Sequence, residues 1–202
     1  TKRLGAVSIA SATDVTANAI TAASLTQTAG SGTTTLNGAV DTTGNISITS
    51  KNLAVNAGVT TTGNGTVTFA QTGTTTIAAA GDISSDGAVS IKATGGITTA
   101  GDVTTTNDDV TFASATVLSG NTAVNTDTGA GNILFSSTVN ATTAGTETLT
   151  LTAGTGNVTF TGAVGGTTRL GAVSIASATD VTANAIKAAS LTQTAGSGTT
   201  TL

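Results

Sequence analysis

AVSIKATGGITTAGDVTTTNDDVTF, residues Ala88–Phe112, contains one full period of the chain and the start of the next. It opens on AVSI, a run whose second and fourth residues are apolar and whose third is a hydroxyl, and 21 residues later the pattern returns as DVTF from Asp109. Side chains alternate across a strand, so Val89 and Ile91 share one side, as do Val110 and Phe112. Two more apolar points, Ile97 and Val103, fall between the runs. The gaps are filled by Gly, Asn, Asp and Thr, which suit corners because they tolerate positive φ or bond locally to the backbone. Three short strands joined by corners within each period predict a coil that stacks on copies of itself.

The same run recurs as AVSI from Ala6, SLTQ from Ser24, NISI from Asn45, TVTF from Thr66, NILF from Asn132, NVTF from Asn157 and AVSI from Ala172. The predicted inward pairs include Val7 with Ile9 and Ile46 with Ile48. The central stack is Val67, Phe69, Val89, Ile91, Val110, Phe112, Ile133, Phe135, Val158 and Phe160. All 4 phenylalanines occupy the fourth position of a run, which points to one internal column. Val15 with Ile20, Leu36 with Val40, Ile77 with Ile83 and Val117 with Val124 supply the other two faces. The expected fold is all-β: a triangular parallel β-helix, or β-solenoid, of about 21 residues per coil, with strands about 4.8 Å apart. Roughly ten coils give a rod on the order of 45–50 Å long. Two features resist this register. Gln27 and Gln193 fall at the inward fourth position, and the spacing drifts between Glu147 and Gly156.

A longer repeat overlies the short one. RLGAVSIASATDVTANAITAASLTQTAGSGTTTL, Arg3–Leu36, returns at Arg169–Leu202 with one change, Thr21 to Lys187. Residues 1–166 therefore read as one solenoid module of about eight coils and 167–202 as the start of a second, near-identical one. The expectation is a continuous solenoid that is a fragment of a longer chain.

Composition agrees with a simple, repetitive protein. The chain lacks Cys, Pro, Met, Trp, Tyr and His, and charged residues make up only 8%. Thr and Val favour a pleated, half-buried surface. The net charge of -4, with no basic run, excludes the electrostatic footprint of a nucleic-acid binder. No apolar stretch approaches the length of a membrane span, and no signal peptide is read in the first residues.

With its strand runs, duplicated block and Thr, Ala, Gly and Asn texture, the chain resembles filamentous-haemagglutinin-like and autotransporter-type giant repetitive adhesins. The resemblance covers the whole sequence. It implies a right-handed parallel β-helix, export across an outer membrane, and an extracellular or cell-surface location. The expected role is a rigid stalk in a secreted bacterial surface fibre or adhesin, serving attachment or biofilm and matrix cohesion. Its expected partners are adjoining repeats, like fibres laterally, and host, cell or surface glycans.

Carboxylates are the main chemical groups to weigh, since Cys and His are absent and an unassisted Ser or Thr is a poor nucleophile. Asp82, Asp86, Asp102, Asp108 and Asp109 could gather on neighbouring coils as low-affinity Ca²⁺ ligands. No tandem Gly-Gly-x-Gly-x-Asp pattern accompanies them, which favours solvated corner residues. No catalytic residue or other cofactor is expected. A polysaccharide-processing enzyme scaffold is the alternative the fold allows, although the chain has no Trp or Tyr platform for a sugar. The threonine runs at Thr33–Thr35, Thr60–Thr62, Thr74–Thr76 and Thr104–Thr106 raise an ice-binding ladder as a third class. They fall at two different places in the coil, so they are not expected to form one array.

Overall fold

The computed structural model describes residues 2–202, and its strand ladders are parallel throughout, each strand bonding to those one coil above and below. The chain visits three faces in turn. Face 1 carries the four-residue runs, including Ile46–Ser50, Val67–Gln71, Val89–Ala93, Val110–Phe112, Ile133–Phe135 and Val158–Phe160. Face 2 follows with Val15–Ala17, Thr33–Leu36, Asn52–Val55, Thr75–Ile77, Ile97–Thr99, Thr116–Leu118 and Val139–Ala141. Face 3 contains Val40–Thr42, Val59–Thr61, Ile83–Ser85, Val103–Thr105, Thr122–Asn125 and Leu149–Thr152. Strand Ile20–Gln27 turns a corner and serves both face 3 and face 1.

The interior is one dry column. Phe69, Phe112, Phe135 and Phe160 are buried at the fourth position of face 1, and the last three stack. Ring centroids are 4.8 Å apart for Phe112 and Phe135, and 5.2 Å for Phe135 and Phe160, with nearly parallel planes. That spacing is the strand spacing itself, so the ladder sets the aromatic geometry. Val67, Val89, Ile91, Val110, Ile133 and Val158 complete the face 1 wall, opposite Leu53, Val55, Ile77 and Ile97 from face 2.

Inward polar groups are all paired among the described residues. Gln27 keeps its inward position because Thr34 Oγ1 donates to its Oε1 at 2.8 Å. Gln71, a second inward glutamine, receives Thr75 Oγ1 at 2.9 Å and donates to the Ile48 carbonyl at 2.9 Å. The Gln27–Thr34 pair recurs as Gln193–Thr200 at 2.7 Å, but there Thr200 is exposed. This difference yields a prediction. Thr34→Val should cost about 1–3 kcal/mol by stranding the buried amide oxygen, whereas Thr200→Val should stay within about 0.5 kcal/mol. Urea midpoints of the two variants decide it.

Two expectations need correction, and a third is borne out. Val117 points outward, because Thr116 and Leu118 take the inward positions of their strand and alternation leaves the residue between them outside. The run AVSI from Ala172 does not continue face 1. Val173 and Ile175 stack on Leu149 and Leu151 of face 3, and it is Val181 and Ala183 that cover Val158 and Phe160. Only 15 residues separate Val158 from Val173, fewer than the shortest coil on face 1, which takes 18 from Val7 to Leu25. The spacing drift near Glu147 is real. The coil from Ile133 to Val158 takes 25 residues, its surplus loops out at 142–148, and the ladder slips between Leu151 and Thr152. Glu147 is buried in that loop, where its carboxylate accepts the Thr143 amide at 3.0 and 3.2 Å.

A stack of this kind draws its stability from neighbouring coils, so losing one should shorten the rod without unfolding it. Deleting residues 88–108 places Val110 and Phe112 directly over Val67 and Phe69, the contacts Val89 and Ile91 make now. The β-sheet circular dichroism per residue should be retained, and the urea m-value should fall by about a tenth with the surface removed. A non-cooperative unfolding curve would overturn this.

Candidate functional surface

Four of the five candidate calcium ligands are employed in the stacking of coil on coil. Asp82 Oδ1 accepts the Asp102 amide at 2.9 Å, and Asp102 Oδ1 accepts the Ala123 amide at 2.7 Å. Asp109 Oδ1 accepts the Asn132 amide at 2.7 Å, and Asp86 Oδ2 accepts the Asn64 amide at 2.7 Å. Asp108 contributes its carbonyl to Thr105 Oγ1. The carboxylates of Asp82, Asp86, Asp102 and Asp109 each tie one coil to a neighbour, as local Asx bonds do at turns. Among the described residues no three His, Cys, Asp or Glu side chains gather closely enough to hold a metal ion.

Asp109 begins a longer corner chain. Asn132 Oδ1 accepts the Asn157 amide at 2.9 Å, Asn157 Oδ1 the Asp180 amide at 3.0 Å, and Asp180 Oδ1 the Thr199 amide at 2.7 Å. The corner amides would otherwise face solvent without a fixed partner, and these short side chains bind them to the coil beneath.

A second column lies inside the corner between faces 3 and 1. Thr42, Thr61 and Thr126 donate to the carbonyls of Gly44, Gly65 and Gly131 at 2.6, 2.6 and 2.7 Å, and Ser85 also donates to Gly65 at 2.9 Å. Residue-by-residue reading missed these positions. Their signal is a hydroxyl two residues after the face 3 apolar residue on five coils, in VDT, VTT, ISS, VTT and VNT from Val40, Val59, Ile83, Val103 and Val124.

The outer surface of face 1 carries an ordered array. Ser8, Thr26, Ser47, Thr68, Ser90, Thr111, Leu134, Thr159, Thr182 and Thr201 stand on consecutive rungs in register, and none is buried. Only Leu134 interrupts the hydroxyls, in a shallow groove with Asp109, Asn132 and Asn157 at its edge. The threonine triplets divide between faces 2 and 3 and alternate in and out, so Thr34, Thr61, Thr75 and Thr105 are buried. The array therefore comes from the third position of the runs, a regularity plain in the sequence whose continuity becomes visible once the rungs are aligned. Chemically it offers hydrogen-bond donors and acceptors at the strand repeat. The one ion pair among the described residues, Arg3 to Asp41 at 3.1 Å, lies on the exterior near the first coils.

Among the described residues no helix is long and apolar enough to cross a membrane. No protein-family model, curated protein or solved structure matches the chain.

Proposed function

We propose that the chain is a rigid spacer in a secreted surface fibre that serves attachment or matrix cohesion. The observation that carries this reading is the unbroken stacking of coil on coil, with side chains committed to holding neighbours rather than to a reactive cluster. A solenoid of this kind transmits load through its ladder and lengthens by adding coils, which suits a stalk. The carrier of the gene is then expected to lose surface attachment when the gene is deleted, while purified solenoid leaves polysaccharides uncleaved. Unchanged attachment would remove the adhesive reading. Concentration-dependent light scattering by purified solenoid would favour matrix cohesion through contacts between like fibres.

The face 1 hydroxyl array favours a second reading, an ice-binding surface. Its flanking columns are mixed, with Thr49, Ala70 and Lys92 on successive rungs to one side. Thermal hysteresis in the presence of the purified chain would support this reading over the stalk; freezing behaviour like that of buffer would dismiss it.

A further inference from the structure

The two copies of the 34-residue block have nearly the same sequence and different positions in the coil. In the first copy, Val7 and Ile9 lie on face 1, Val15 and Ala17 on face 2, and Ile20 on face 3. In the second, Val173 and Ile175 lie on face 3, Val181 and Ala183 on face 1, and Ile186 on face 2 through its bridge to Val164. Every strand of the block has moved by one face in the same sense. The chain takes 23 face-to-face steps from the first copy to the second, seven full coils and two faces, so the module is not a whole number of coils.

We infer that wherever this module follows itself at the 166-residue offset, each copy is turned by one face relative to the copy before it. The local reason is the interchangeability of the three inner walls. Each needs only an apolar, outward, apolar triplet, and VSI fits over Leu25 and Gln27 of face 1 in one copy and over Leu149 and Leu151 of face 3 in the other. The junction that produces the turn joins the end of one module to the start of the next, so it recurs with every copy. Three modules, 23 coils, restore the starting orientation, an axial repeat of roughly 110 Å at the strand spacing. The equivalents of Ser8 then appear on face 1, on face 3 at Ser174, and on face 2 in a third copy. A binding patch carried once per module is presented on all three sides of the fibre, so neighbouring fibres or a surface can meet it from any direction. The turn itself does not rest on the stalk reading.

Nitroxide pairs on the 202-residue chain test the junction. Thr159→Cys with Thr182→Cys places labels on adjacent rungs of face 1, and Thr159→Cys with Ser174→Cys places them on different faces. Ser90→Cys with Thr111→Cys calibrates the spectrum of adjacent rungs in mid-ladder. All these sites point outward, and circular dichroism checks each labelled chain. Dipolar broadening of the 159/182 pair equal to that of the calibrating pair, with little in the 159/174 pair, is the expected result. Broadening confined to the 159/174 pair, or absent from both, would overturn the turn and leave the attachment test unaffected.

Discussion

Phe112→Asp is expected to abolish cooperative folding of the middle coils. Phe112 is fully buried, 4.8 Å from Phe135 across one rung and in register with Ile91 on the other side. Removing the ring leaves a cavity, a change worth about 3–5 kcal/mol for a buried Phe. The carboxylate put in its place is an unpaired charge in a low-dielectric interior, a further several kcal/mol. The sum is comparable with the whole stability of an ordinary domain, about 5–15 kcal/mol. Leu134→Asp is the internal control. It adds the same charge one rung away on the same face but outside, and it should change stability by less than about 1 kcal/mol. Thermal and urea melts followed by circular dichroism separate the two. An unchanged melting temperature for Phe112→Asp, or a collapse for Leu134→Asp, would show that the inner and outer sides of face 1 had been exchanged.

That assignment was legible because face 1 obeys the simplest rule in the chain: alternation with a hydroxyl in the middle and every phenylalanine at one position. Faces 2 and 3 were harder to read. Their strands are mostly three or four residues long, and several inward positions are Thr or Ser. A buried threonine looks the same in sequence as a solvated one. Val117 illustrates this, since its apolar side chain invited an inward placement while Thr116 took the inner site. The shift of the second block was hidden for another reason. Equal sequences suggest equal places, but place depends on how many residues intervene, and only 15 lie from Val158 to Val173, too few to return to face 1. The Asp candidates were found at corners, as their neighbours Gly and Asn implied. The employment of Asp82, Asp86, Asp102 and Asp109 as acceptors for backbone amides depends on which coil lies next to them, and that contact is set by rung alignment.

Gly131→Val should be strongly damaging, second to Phe112→Asp, although it adds only apolar atoms. A Cβ on Gly131 would lie 2.6 Å from the Asp108 carbonyl oxygen and 2.7 Å from Thr126 Cβ, closer than real Cβ atoms approach anything. Neither neighbour can yield cheaply. The Asp108 carbonyl belongs to the coil below and accepts from Thr105, and Thr126 is held by its own bond to the Gly131 carbonyl. The corner would have to move outward, which lifts Asn132 from Asp109 and pulls Ile133 and Phe135 away from Val110 and Phe112. Overpacking of this kind typically costs about 1–3 kcal/mol, and loss of the buried Thr126 bond adds about 1–3 more. Backbone φ is not the cause, because Gly131 is not among the glycines with positive φ. The requirement is for room between stacked corners. Gly5→Val tests that distinction, since a Cβ there meets nothing within 4 Å, and it should leave the urea midpoint where it was. If Gly131→Val were equally silent, the coils at this corner would be farther apart than the strand ladder allows, and the stacking of faces 3 and 1 around residues 105–135 would have to be redrawn.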